Sequence, residues 1–458
     1  MRLSASEAIQ LQKNPLVRDV VLDYRRLQPQ IANTVHLTGA DKIWTLDRDG
    51  NDCTKSGKPC LNGSGVKIGF LDTGVDYTHG AFGSCTREQM VANTCPKVQG
   101  WNFQTNDRDA MDRDGHGTSV ASIAAGNGGG MKGMAPGARV YAYRDDGEDY
   151  LEWEKMYLDG VDIISESLAA AHSDPTSAFG RLYEEAARNL PIPVVVCAAN
   201  NGPSGPNSMS AQSVRAAFTV GANMNSASDP AAVAPYSSQG WVSWVEDGQR
   251  KFYLKPDVVA TGDLECVANP FQSVLWWGCP AARLSPVSGT SASTSVVSGA
   301  LALVIQAHPD WTKDELRSSL MMTAVPIADE PLGRQGLGSI RVDRAIALQS
   351  PPPIAYFGEV NQDGGTFIVT GIADGRNFAR YTIEVTPGME PGKDARWLLV
   401  YEGTKPVNRN TLAEIPASQF PLGSSALRLK VYDSKGLVAV HYIAYARTAD
   451  PGQATQRK

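Results

Sequence analysis

From Val66 onward, short apolar runs alternate with longer segments whose apolar positions recur every three or four residues. The runs 66–71, 140–143, 162–168, 194–198, 217–220 and 258–259 are β-branched or small and lack polar alternation. Strands buried on both faces of a parallel sheet need that pattern. Segments 179–189, 290–308, 313–324 and 342–348 carry helical spacing instead. Strands and helices in turn predict an α/β fold of three layers, a parallel sheet flanked by helices. The pattern changes at Ser350-Pro351-Pro352-Pro353, which reads as a linker. Beyond it, 366–372, 381–385, 397–401, 427–432 and 438–445 are strand-like, with turns at Asp363-Gly364-Gly365 and Asp433-Ser434-Lys435-Gly436. An all-β sandwich over 354–448 and a polar tail over 449–458 are expected. At the other end, 5–12 reads as a helix, Asn14-Pro15 breaks it, and 17–24 alternates like a strand.

Four short motifs sit at the ends of these elements. Asp72-Thr73-Gly74 closes the first apolar run, and His116 stands between Gly115 and Gly117 before a small-residue stretch. Ala198-Ala199-Asn200-Asn201-Gly202 closes the run 194–198. Gly289-Thr290-Ser291 opens a helix, 292–303, that has almost no large side chain. A serine hydroxyl is a poor nucleophile at neutral pH; it needs a base within hydrogen-bond range, and the base needs an orienting carboxylate. A carboxylate at the end of a buried strand is costly without such a partner. Each residue also has a structural reading: Asp72 as an N-cap, His116 as a buried hydrogen-bonded histidine, Ser291 as one packing serine among Ser288, Ser293, Ser295 and Ser298, and Asn200 as a turn residue beside Asn201-Gly202. Singly those readings compete. They do not account for glycine-flanked blocks arriving in the order Asp, His, Asn, Ser.

With these blocks in this order, residues 36–350 resemble the subtilisin-like serine proteases, the subtilases. The resemblance implies Ser291 as nucleophile, His116 as general base and then acid, and Asp72 as the group that orients the imidazole and supports its charge. It implies the Asn200 side chain and the Ser291 amide as donors to the oxyanion. Ser167, Leu168 and Ala169 would form the edge that pairs with an extended peptide. Ala198 and Ala199 would line the pocket for the side chain before the scissile bond, and the lack of a charged residue at 207–210 favours neutral or apolar side chains. The chain departs from the family in Ala292-Ser293-Thr294-Ser295-Val296 after the nucleophile, in Ser119 where a second histidine is usual, and in Ala199 where a glycine is usual. These departures put rate and specificity in question, not class. Calcium is common in subtilases, but Gly80-Ala81-Phe82 stands where a ligand carboxylate often falls, so no site is assigned. Asp107, Asp109, Asp112 and Asp114 read equally as a metal loop or a surface carboxylate loop. Residues 1–30 resemble the last helix and strand of an inhibitory propeptide, or serve as a packing arm. Residues 354–448 resemble an immunoglobulin-like module, without a catalytic constellation of its own.

Composition narrows the remaining classes. A net charge of −6 over 458 residues argues against a nucleic-acid partner. No uninterrupted apolar stretch reaches the ~18 residues of a membrane span. The acidic run from Asp145 to Glu154 reads as a solvated helix face, or as a subsite for a cationic substrate. Of seven cysteines, Cys53 and Cys60, Cys85 and Cys95, and Cys266 and Cys279 fall in close pairs across loop-like stretches, and Cys197 lies in an apolar run. That favours three disulfides, one buried thiol and an oxidising compartment; zinc would need Cys-x-x-Cys or Cys/His clustering, which is absent. A secreted or cell-envelope protein is expected, with its true start upstream of Met1, since no signal peptide is visible. The expected partner is a protein or peptide substrate, the expected state a monomer, and no cofactor is called for. The rival to a peptidase is a catalytically silent binding or adhesion protein on the same scaffold.

Overall fold

The computed structural model describes residues 30–447, apart from 146–150, 170–173, 204–207, 226–231, 247, 272–278 and 280. The expected elements over 5–24 and the tail 449–458 lie outside the described residues.

Seven parallel strands form the central sheet: β1 (Lys67–Asp72), β2 (Val98–Asn102), β3 (Arg139–Arg144), β4 (Ile163–Glu166), β5 (Val194–Cys197), β6 (Phe218–Asn223) and, after a hairpin of β7 (Gly240–Glu246) and β8 (Gln249–Lys255), β9 (Val258–Thr261). Their order across the sheet is β9-β6-β5-β4-β1-β3-β2. Helices α1 (Gln30–Thr38), α2 (His116–Ala125), α3 (Leu151–Leu158), α4 (Ala178–Asn189), α5 (Thr290–Ala307) and α6 (Lys313–Thr323) surround it. The unbroken apolar runs are explained by burial on both faces. Ile68, Phe70, Ile163 and Val195 face a core shared with α2 and α5. Leu71, Ile164, Val194 and Val196 face Trp153 and Met156 of α3 and Tyr183 of α4. The sheet is the middle of three layers, as the sequence pattern predicts.

The small residues of α5 let it run through the middle of the molecule. A Cβ on Gly299 would stand 2.5 Å from Cβ of Met134 and 2.9 Å from the Ala124 carbonyl, so only glycine allows α2 and α5 to approach this closely. The hydroxyls in the altered segment after Ser291 are satisfied within the helix: Thr294 donates to the Thr290 carbonyl at 2.8 Å and Ser295 to the Ser291 carbonyl at 3.2 Å. Among the described residues α5 alone is long and apolar enough to cross a membrane, and here it is the buried central helix.

An antiparallel ribbon of β10 (Glu265–Ala268) and β11 (Leu284–Val287) leads into α5. After 350 the chain is almost entirely strand: β12 (Ile354–Asp363), β13 (Thr366–Asp374), β14 (Phe378–Pro387), β15 (Leu398–Gly403), β16 (Val407–Pro416), β17 (Gly423–Asp433) and β18 (Val438–Arg447). β12-β13-β16 form one antiparallel sheet, and β15-β14-β17-β18 belong to another. Phe357 and Val369 of the first meet Ile383, Leu427 and Leu429 of the second in one core. The second sheet continues past β18 into β8 and β7, with Lys251 opposite Tyr445. A hairpin from the α/β part of the chain thus completes a sheet of the β part.

The periodicity missed β2, β12, β16, the ribbon β10–β11 and the hairpin β7–β8. β2 and β16 are edge strands, and the outer half of β16, Val407-Asn408-Arg409-Asn410, is exposed or only partly covered. Such strands lack the clean alternation that marks a half-buried one.

Candidate active site

The C-terminal end of the parallel sheet carries the site. β1 ends on Asp72, whose side chain is 1% exposed. His116 is the first residue of α2, and its Nδ1 lies 2.7 Å from Asp72 Oδ1. A carboxylate can only accept, so Nδ1 carries the proton and Nε2 is left for other work. The Asp72 charge holds the imidazole above its ordinary range, to about 9, and outweighs the burial that pushes it down. Asp72 Oδ1 also accepts from the Thr73 amide at 2.8 Å, which fixes the carboxyl plane.

The approach of α2 to β1 is set by a glycine and an aspartate. A Cβ on Gly117 would sit 2.1 Å from the Gly74 carbonyl oxygen, so the His-Gly step cannot be widened. Thr73 Oγ1 accepts from the Gly117 amide at 2.9 Å and donates to Asp112 Oδ1 at 2.9 Å. The same Asp112 oxygen accepts from the amides of Asp114 and Gly115, and its Oδ2 accepts from the Thr118 amide. Asp112 therefore ties the end of β1 to the start of α2. Sequence reasoning placed it only in a loop of carboxylates; its spacing of four residues before His116 was the available signal. The other carboxylates there are also engaged: Asp109 accepts from Tyr77 and Arg87, and Asp114 from the His116 amide. Among the described residues no group of three or more His, Cys, Asp or Glu is placed to hold a metal ion. Ser119, in place of a second histidine, donates to the carbonyls of Gly115 and Ala268 and so ties α2 to β10.

Ser291 lies in the first turn of α5, where backbone N–H groups have no partner inside the helix and the helix dipole favours negative charge. Its hydroxyl donates to the Ser167 carbonyl at 3.0 Å. Among the described residues no hydrogen bond joins it to His116, so of the two links expected of a triad the Asp72–His116 one is closed and the His116–Ser291 one open. Asn200 accepts through Oδ1 from the amide of Thr290 at 2.9 Å and from its hydroxyl at 3.1 Å. That commits the carboxamide oxygen of a residue that is exposed as a whole. Ser167, Leu168 and Ala169 continue past the end of β4; Ser167 is buried, Leu168 half-buried and Ala169 exposed.

Two expected pocket residues behave differently from each other. Ala199 keeps a left-handed backbone, φ 83°, that a glycine would adopt without strain. The backbone there has kept a glycine-like path and carries the strain. Ala198 is fully buried, with its methyl in a cluster of Met209, Val242, Trp244 and Tyr253. It supports the strand end from behind. Glu152 of the acidic run is buried, against the expectation of a solvated face, while Glu154 is exposed.

The three expected disulfides are formed, 53–60, 85–95 and 266–279, and Cys197 is a free buried thiol. Burial pushes the Cys197 thiol up to about 12, which makes it inert as a nucleophile.

A family model described as the Subtilase family matches residues 63–346. Serine protease AprX of Bacillus subtilis (strain 168) is 27% identical over 323 residues, covering 63% of this chain and 68% of that protein. Subtilisin BL of Lederbergia lenta is 30% identical over 296 residues, 60% of this chain and 90% of that protein. The minor extracellular protease Vpr of Bacillus subtilis (strain 168) is 28% identical over 225 residues, but the chain spans only 25% of it. A parallel sheet with these motifs at its C-terminal end, under a family match covering most of the chain, places the protein in the subtilase family of serine endopeptidases.

Proposed function

We propose that the protein cleaves peptide bonds through an acyl-enzyme on Ser291, outside the cytoplasm. The observation that carries this reading is the 2.7 Å bond from His116 to buried Asp72, with Ser291 at the start of α5. Ser291 Oγ attacks the carbonyl carbon while His116 Nε2 takes its proton. The tetrahedral oxyanion is met by Asn200 Nδ2 and the Ser291 amide. The amine leaves with the proton from His116, and water repeats the sequence to release the acid.

The open His116–Ser291 link fits a site waiting for substrate. An extended peptide pairing along 167–169 presents an N–H to the Ser167 carbonyl, the group that Ser291 now occupies. Displaced, the hydroxyl is free to turn toward His116. The same open link is what favours the rival reading, a silent scaffold. A fluorophosphonate probe separates the two. Wild-type protein should be labelled on Ser291, and Ser291→Ala should remain folded with neither labelling nor peptide turnover. Labelling of another serine would overturn the assignment, and an unlabelled wild type would favour the silent scaffold.

A further inference from the structure

The hairpin β7–β8 lies between the candidate site and the C-terminal strands, and it touches both. At its root, Ser238 donates its amide to the Ala199 carbonyl at 2.9 Å. Ser238 Oγ accepts from the Asn201 amide at 3.0 Å and donates to the Ser208 carbonyl at 2.7 Å. Gln239 and Ser208 exchange two further bonds, at 3.0 and 3.2 Å. Along its length, Val242, Trp244 and Tyr253 pack on Ala198 and Met209. The strained turn carrying Asn200, and the segment proposed beside the substrate side chain, are thus held from behind by this hairpin.

β18 covers its other face, and β12 reaches the outer end of the same face that packs on Ala198 and Met209. Trp241, Phe252 and Leu254 form a cluster with Ala444 of β18. Glu359 of β12 bonds Arg215 at 2.9 Å and Lys251 of β8 at 3.3 Å. The Gln249 side chain donates to the Gln362 carbonyl at 2.7 Å and accepts from the Gln362 amide at 3.0 Å. Trp241 Nε1 donates to Glu390 at 2.9 Å. Burial pushes Glu359 up, but Arg215 and Lys251 outweigh it and hold the carboxyl down at about 2, so the seam stays ionised at any ordinary pH.

We infer that the C-terminal strands determine side-chain selectivity at the substrate pocket, acting through the β7–β8 hairpin as a brace on Ala198–Asn201 and Ser208–Met209. The inference rests on the peptidase reading above. A hairpin has two faces and little rigidity of its own in water; three or more strands or a packed partner are needed to make it firm. Here β18 makes one face firm, and β12 holds the outer end of the face that packs on Ala198 and Met209. The residues of the seam are positioning residues, since none reaches the reacting atoms.

The test uses the full chain with seam variants Glu359→Gln and Ala444→Asp, the first being the mild form should the second fail to fold. Peptide esters that differ only in alanine or phenylalanine before the scissile bond are compared by kcat/KM, with active sites counted by fluorophosphonate labelling. The expected result is a change of about 5-fold or more in the phenylalanine-to-alanine ratio, within the range one pocket contact can exert. Labelling of Ser291 should stay within about 2-fold. Trp244→Ala, which thins the brace itself, should move the ratio in the same sense. Hydrogen exchange over 198–210 and 236–255 should speed up in the seam variants. A constant ratio in both variants, or unchanged exchange, overturns the proposal. If the wild type takes no label, the peptidase reading fails instead, and exchange over 198–210 still reports whether the brace exists.

Discussion

At the scale of single residues, the Asp72–His116 pair sets the pH response. A general base must be neutral to take a proton, and Asp72 holds the imidazolium until about pH 9. kcat/KM should therefore rise with pH through the neutral range and level off near 9. Asp72→Asn should remove that alkaline limb and lower kcat by about 10⁴-fold, as loss of the orienting carboxylate does in such triads. A pH–rate profile of both proteins checks this, and a flat wild-type profile between 7 and 9 would contradict it. The same shift has a stability consequence. The pair's contribution is fully present below about 6.5, the imidazole's ordinary value, and is lost as pH rises toward 9. Ala199 offers an independent test. Its left-handed backbone costs about 1 kcal/mol or more that glycine would not incur. Ala199→Gly should raise Tm while Ser291 keeps its label; a lowered Tm would show that the methyl's packing outweighs the strain.

At the scale of elements, loops and helix termini carry the chemistry and covalent links hold the loops. Cys266–Cys279 spans from β10 to the approach of β11, and β11 leads directly to Gly289 and Ser291. With its cysteines only 13 positions apart, this link is worth about 3 kcal/mol at most by loop entropy, and the shorter two rather less. Non-reducing peptide mapping should find all three pairs and an unlinked Cys197. Mild reduction should lower Tm, and a crosslinked Cys197 would contradict the pairing. The order of motifs and the strand ends that carry them were legible because each strand is buried on both faces. The ribbon β10–β11 and the hairpin β7–β8 were not legible. Their residues face partners distant in sequence, so no local period records them.

At the scale of the whole molecule, the seam between the β7–β8 hairpin and β18 bears on the proposed boundary at Ser350. Every group of the candidate site precedes that residue, and the strands after 353 are antiparallel. Yet a chain ending there would expose Trp241, Phe252 and Leu254 and leave Arg215 and Lys251 without Glu359. Uncovering such side chains costs up to about 5 kcal/mol, a large share of a typical 5–15 kcal/mol stability. Truncation after Ser350 should therefore lower Tm markedly, while the fraction that still labels on Ser291 keeps hydrolysis of a small ester. Circular dichroism and active-site titration check this together. A folded, labelled truncation that is dead on the ester would move the boundary into the C-terminal strands.

By itself the sequence determined the α/β layering, the all-β character after 350 and the cysteine pairs, and it proposed the nucleophile–base–carboxylate set. Each of these is written locally, in runs apolar on both faces, in glycines beside reactive side chains, or in short spacings. Tertiary structure alone decided that Asp112 and Thr73 lock β1 to α2, that Ser291 rests on the Ser167 carbonyl, and that Ala199 keeps a glycine's backbone. It also decided that a hairpin of one part of the chain completes the sheet of the other. Those facts depend on side chains separated by tens to more than a hundred residues that meet only when the sheet closes, and periodicity along the chain carries no trace of such meetings.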